Sequence, residues 1–242
     1  LNSRVIMLYH NVTPHEFFAG TSNFVEAIVR RGRQELPLLK DKVSIPLADS
    51  EYSRRELEEL GFRNPRVLPI ILDYSRYDVK PNQLLMKRYD DGWINIMFLG
   101  RIAPNKKIED LIRIFLYFKK CVNPKSRLFL LGSSNSTERY HAGLVEQIRN
   151  LRLEDVYFDN PATSSDLVAY YKLADVFVTM SEHEGFCVPL LECMYCGVPI
   201  IAYKATAVPY TLGDAGILVS TKDPALIGEL IQLIAEDSNL RS

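Results

Sequence analysis

The 242-residue sequence predicts an α/β fold built on parallel sheets, and three observations carry that prediction. From Trp93 onward, short apolar runs alternate with stretches of helical periodicity. At 175–192 an apolar run passes through a glycine-containing turn straight into a segment opened by Pro189. Upstream, residues 1–73 show a strand and helix alternation of their own. Strands alternating with helices imply βαβ units, right-handed crossovers and a sheet covered on both faces. Ligands in such sheets bind beyond the carboxyl ends of the strands.

Taken in order, Arg4–Tyr9 reads as a core strand, here 4–10, followed by a helix over 22–35 and a short strand at Val43–Ala48. A helix at 52–60, capped by Asp49 or Ser50, precedes a strand at Arg66–Ile71. Residues 74–92, with Pro81, Asn82, Asp90, Asp91 and Gly92, are polar and uneven and read as a connection between domains. Beyond it, apolar runs at 94–99, 127–131, 156–158, 175–180, 198–203 and 216–219 read as strands. Ile108, Leu111, Ile112 and Phe115 share one face of a helix over 108–121. Ser164 or Ser165 would cap a helix ending at Leu173, and Asp223-Pro224 opens the last one. The division is therefore 1–73, a partial N-terminal domain; 74–92, a linker; and 93–242, a C-terminal domain. A central strand beginning almost at Leu1 leads to the expectation that the chain is a fragment.

Composition narrows the class. A hydrophobic content of 47% suffices for a packed core, and a net charge of −1 gives no general attraction to nucleic acid or anionic membrane. Cys193-x-x-Cys196 has the spacing of half a zinc site, but no second pair follows and the pair falls in a helix. No metal is expected, and the four cysteines read as reduced thiols of a cytoplasmic protein. No apolar run approaches the ~20 residues that span a bilayer.

Ser181–Glu192 carries the most information. Pro189 suits a first helical position, where its fixed φ fits and its missing N–H is not needed. Glu184 and Gly185 then lie in a strand-to-helix turn, with Glu192 about one turn inside the helix. Free N–H groups at the helix start favour an anion. Two carboxylates for sugar hydroxyls beside a phosphate-binding helix end describe a sugar-nucleotide pocket. The pair can also be read as a glycosidase-like acid and base, and a glutamate one turn into a helix is ordinarily exposed. Gly100-Arg101, with Lys106-Lys107, follows the first strand of the second unit and could bring a guanidinium and an ammonium to a diphosphate. Exposed Lys and Arg are also ordinary in loops. Gly132-Ser133-Ser134 is a second small-residue turn after a strand. His10 ends the first strand, while Glu182 and His183 read as solvent-facing. The basic run Arg30-Arg31-Gly32-Arg33 reads as a solvated helix end or as peripheral contact with a membrane. There is no G-x-G-x-x-G and no Walker A motif, which argues against a dehydrogenase and a P-loop nucleotidase.

With these residues in view, the chain resembles retaining glycosyltransferase family 4, of the two-domain GT-B fold. The likeness rests on the E-x7-E spacing from Glu184 to Glu192, the Gly100-Arg101…Lys106 loop and Gly197–Ala202, and it is looser at Tyr9-His10-Asn11 and Ala48–Ser53. It implies a sugar-nucleotide-dependent transferase needing no metal or cofactor, with a UDP- or GDP-linked donor, UDP being favoured. The acceptor would be a glycan, a lipid-linked or a small molecule, and a role in polysaccharide biosynthesis is expected, in the cytoplasm or at the inner face of the membrane. By the same resemblance Arg101 and Lys106 (or Lys107) would neutralise the diphosphate, Glu184 and Glu192 would hold sugar and ribose hydroxyls, and His10 would reach the donor sugar across the cleft. Gly100, Gly132 and the backbone of Gly185, Phe186 and Cys187 would contact the donor. The family's first N-terminal strands and closing helices are expected to lie beyond Leu1 and Ser242. Other readings are a donor-binding module without turnover and a sugar-nucleotide epimerase.

Overall fold

A computed structural model describes residues 4–236; the expectations about the two ends lie outside the described residues. The first unit is a three-stranded parallel sheet in the order β1 (Ile6–Tyr9), β2 (Ile45–Ala48), β3 (Arg66–Val67), with α1 (Asn23–Glu35) after β1 and α2 (Glu51–Glu59) after β2. The side-chain oxygen of Ser22 caps α1 and that of Ser50 caps α2, each accepting from a backbone N–H three residues on, so the α2 cap is Ser50 and not Asp49. Tyr9, Leu36, Ala48, Leu57 and Phe62 form its small core. β3 is two residues long, because the chain leaves the sheet at Leu68-Pro69 where a strand through Ile71 was expected.

The expected linker is not a bare connection. Residues 74–77 form one 3-10 turn, and α3 (Gln83–Arg88) packs against a helix of the second unit. Asn82 both caps α3 and donates from Nδ2 to Asp166 at 2.7 Å. The polar residues that made the segment look irregular are caps and turn formers.

The second unit is a six-stranded parallel sheet. Its elements are β4 (Ile94–Leu99), α4 (Ile108–Tyr117), β5 (Ser126–Leu131), α5 (Glu138–Asn150), β6 (Val156–Asp159), α6 (Ser164–Leu173), β7 (Val176–Thr179), α7 (Val188–Cys196), β8 (Ile200–Tyr203), α8 (Val208–Leu212), β9 (Ile217–Val219) and α9 (Pro224–Glu236). The helix expected over 108–121 ends its α-helical part at Tyr117 and continues as a wider turn to Val122. Thr163, not Ser164 or Ser165, caps α6. Val188 is the first residue of α7, so Pro189 is the second, where an N–H is equally dispensable.

Strand order is β6-β5-β4-β7-β8-β9. The chain therefore builds outward from β4 in one direction, returns to the centre, and builds outward from β7 in the other. That reversal leaves a crevice at the carboxyl ends of β4 and β7, where a ligand has open access. Side chains alternate across the sheet into two cores. Phe98, Leu128 and Val178 lie on one face, with Met97, Phe129 and Phe177 on the other.

Candidate active site

The topology dictates which loops meet. The loop after β4 and the loop after β7 lie side by side, and two hydrogen bonds join them: Glu182 N donates to the Asn105 carbonyl at 2.9 Å, and Asn105 Nδ2 to the His183 carbonyl at 3.0 Å. This pairing sets Lys106 against Glu184, whose two carboxylate oxygens each accept from Nζ at 2.6 Å. The Glu184 backbone is held in turn by Thr206, whose hydroxyl accepts from its N–H at 2.8 Å and donates to its carbonyl at 3.0 Å.

A cavity of about 460 Å³ opens over this pair, lined from the larger sheet by Gly100, Lys106, Thr179, Glu184 and the turn into α7 at Gly185–Pro189. His10, Asp49 and Ile70 form the opposite wall, so both units contribute. Gly185 is required where they touch: a Cβ there would lie 2.5 Å from the His10 carbonyl oxygen. A cavity of about 500 Å³ beside Trp93, Asn95 and Asp175 sits at the amino ends of β4 and β7, the wrong end of a parallel sheet for ligand chemistry.

Of the residues expected from sequence, His10, Gly100, Lys106, Glu184, Gly185, Phe186 and Cys187 share the one cavity. Arg101 is exposed just past Gly100, outside that wall, and makes no ion pair among the described residues. Lys107 adopts φ 51° and pairs with Glu182 at 3.4 Å, so Lys106 is the one of the two that lines the cavity. Gly132 is not among the cavity lining: with φ 138°, it brings β5 so close to β4 that a Cβ would lie 2.0 Å from the Gly100 carbonyl oxygen.

Glu192 departs furthest from expectation. It is buried within α7 and is not part of the cavity wall, and its two carboxylate oxygens accept from the hydroxyls of Tyr77 and, at 2.6 Å, Tyr171. It is neither the exposed residue its position suggested nor one half of an acid and base pair facing Glu184. Tyr77 comes from the segment read as a linker, which is why local sequence gave no sign of it.

His183 is not solvent-facing, whereas the Glu182 side chain stays 37% exposed. His183 is 3% exposed between the rings of Phe17 and Tyr52, and its Nε2 lies 2.8 Å from Asn11 Oδ1. Asn11 Nδ2 donates to Glu56 at 2.8 Å, which leaves Oδ1 as the acceptor and makes Nε2–H of His183 the donor. Burial pushes the pKa of His183 down to about 4. Glu182 accepts from Lys222 at 2.7 Å. The basic run of α1 is paired within the molecule, Arg30 with Glu26, Arg31 with Glu35 and Arg33 with Glu56. No helix among the described residues is long and apolar enough to cross a membrane.

With the site in place, the comparisons can be read against it. The sequence model for glycosyl transferases group 1 matches residues 88–242, more than half of the chain. The chain belongs to that family. O-antigen chain mannosyltransferase B of Escherichia coli is 26% identical over 97% of this chain and 62% of its own length. D-inositol 3-phosphate glycosyltransferase of Salinispora arenicola is 28% identical over 80% of this chain and 44% of its own. Among solved structures, Anabaena HepE in complex with UDP and glucose superposes with a TM-score of 0.78 at 21% identity, over 98% of this chain and 63% of that one. WaaG, a glycosyltransferase involved in lipopolysaccharide biosynthesis, gives 0.71 at 16%, over 98% and 67%. These likenesses establish the GT-B fold. The chain thus spans about three-fifths or less of the curated relatives it matches.

Proposed function

We propose that this glycosyltransferase-family chain transfers a hexosyl group from a nucleoside-diphosphate sugar, UDP-linked by preference, to a glycan or lipid-linked acceptor, with retention at the anomeric carbon. The observation that carries the reading is the Lys106–Glu184 pair at the switch point of the sheet, under the start of α7 and facing His10. A buried ion pair is costly to desolvate and gives little stability by itself. A donor with a diphosphate and a sugar matches both halves: the ammonium takes phosphate oxygens and the carboxylate takes sugar hydroxyls. As the nucleotide leaves, negative charge grows on the diphosphate, and preorganised charge aimed there is a large catalytic term. Arg101, exposed beside the cavity, is the second cation for that role. The ribose role of Glu192 rests on the E-x7-E likeness alone, since Tyr77 and Tyr171 hold the carboxylate off the cavity wall. No metal is assigned a part.

The UDP-bound neighbours favour UDP as the carrier, and the relatives named mannosyltransferases favour mannose as the sugar. Domains 1–73 and 93–242 would then supply the acceptor and donor sides. Titration with UDP, UDP-glucose, UDP-N-acetylglucosamine and GDP-mannose decides among carriers. Lys106→Ala and Arg101→Ala are each expected to weaken binding about tenfold, or about 1.4 kcal/mol. Unchanged affinity in Lys106→Ala refutes the site; unchanged affinity in Glu192→Ala removes only its ribose role.

A further inference from the structure

Asp49 was read from sequence only as a helix cap, and Ser50 does that work. Its actual place follows from strand register. Tyr9 pairs with Ala48 across β1 and β2, so the next residue of each strand, His10 and Asp49, emerge side by side at the carboxyl end of the sheet. Asp49 N donates to the Tyr9 carbonyl at 3.2 Å, which locks the two together. Asp49 is 2% exposed and lines the cavity, whereas the His10 side chain is 59% exposed. His10 Nδ1 lies 3.5 Å from Asp49 Oδ2, and no Lys or Arg pairs with this carboxylate among the described residues. Its other oxygen, Oδ1, is buried with no hydrogen-bond partner.

A carboxylate placed this way is costly to bury, and the Ser53 hydroxyl and His10 offset only part of that cost. Burial pushes its pKa up, and an unpartnered buried acceptor costs about 1–3 kcal/mol. An apolar residue would pack the strand end better, so the group answers to the cavity rather than to the fold. An ionised carboxylate only accepts, so beside Nδ1 it favours the imidazole proton on that nitrogen, which leaves a lone pair on Nε2.

We propose that Asp49 is a positioning residue for His10, fixing the imidazole with its proton on Nδ1 so that Nε2 accepts from a hydroxyl of the transferred sugar. Asp49 Oδ1 is the second acceptor of the same wall, able to take a neighbouring hydroxyl. The inference rests on the glycosyl-transfer reading for the identity of the ligand, but the tautomer it assigns is a property of the free protein.

The test therefore begins without ligand. Nitrogen-15 correlation spectra of the imidazoles are recorded at about pH 8, where an ordinary histidine is neutral, with His10→Ala to identify the signal. A proton on Nδ1 in the wild type, moving to Nε2 in Asp49→Ala, is the expected result. A proton on Nε2 in the wild type, or the same tautomer in both, overturns the proposal. Donor turnover by the full chain is then compared for Asp49→Ala, His10→Ala and the double variant. A positioning role predicts that each single variant lowers kcat about tenfold or more, that the double is no worse than His10→Ala, and that UDP affinity stays within about twofold. Multiplying losses, or equal loss of UDP binding, would show a merely structural carboxylate. If the wild type binds no nucleotide, the functional reading falls while the tautomer result still decides whether Asp49 orients His10.

Discussion

In the six-stranded sheet, Met97, Phe129 and Phe177 on one face and Phe98, Leu128 and Val178 on the other are all 0–1% exposed, whereas in the three-stranded sheet Ile6, Leu8 and Ile45 stand 63%, 42% and 40% exposed. Both sheets are parallel, yet among the described residues only the larger has apolar layers on both faces, as parallel sheets ordinarily do. The smaller relies on one helical layer and on a polar cluster. In that cluster Glu56 accepts from Tyr9 and Asn11 at 2.8 Å and from Arg33 at 2.7 Å. It relies also on the larger unit: Asn11 meets His183, and Phe18 and Val25 pack with Ala103. The difference teaches that burial on both faces holds the six-stranded sheet, while the smaller sheet adds directional contacts to its one small core.

That contrast can be broken by truncating matched residues. Leu130→Ala in β5 is expected to cost about 2–5 kcal/mol in urea unfolding, and Leu8→Ala in β1 within about 1 kcal/mol. Equal costs would mean that the outer face of the small sheet is as well packed as the large one. The next effect is a pH dependence at the junction. The folded pKa of His183 lies below the unfolded value of about 6.5, so the unfolded chain binds the extra proton. Stability from this group is present above about pH 6.5 and is lost as pH falls toward 4, by up to about 3 kcal/mol. His183→Gln should flatten that part of the curve, and an unaltered acid limb would place the titration elsewhere.

A smaller effect separates the two units rather than unfolding either. Gly185→Ala puts a methyl group against the His10 carbonyl, and about 1–3 kcal/mol of strain is expected. Hydrogen exchange should quicken at the contact between the units and stay slow in β4 and β5; uniform loss of protection would show that they unfold as one. The smallest change sharpens the role of Glu192. Tyr171→Phe removes one hydroxyl from a buried carboxylate that keeps Tyr77, costing about 1–2 kcal/mol in thermal unfolding. No shift in Tm would mean that the Tyr77 contact alone holds Glu192.

The alternation of elements, the order of the loops that meet at the cavity, and the placing of Glu184 and His10 at strand ends were legible because each is local: a strand run, a turn glycine, a helix-opening proline. Gly132 and Gly100 looked alike in sequence, as small residues after strands. Only the packed sheet shows that Gly132 serves the approach of one backbone to another, since a Cβ on it would lie 2.0 Å from the Gly100 carbonyl oxygen. Lys106 and Lys107 were indistinguishable until the left-handed backbone at Lys107 turned its side chain toward Glu182.

By itself, then, the sequence determined the α/β class, the strand ends where chemistry sits and the charge types available there, because periodicity and turn chemistry are written within a few residues. Tertiary structure decided the partners. Glu192 meets Tyr77 across 115 positions of chain, His183 meets Asn11 across 172, and Asp49 stands beside His10 through a strand register that neither segment specifies alone. A carboxylate or an imidazole takes its role from what surrounds it, and those surroundings exist only once distant segments have packed.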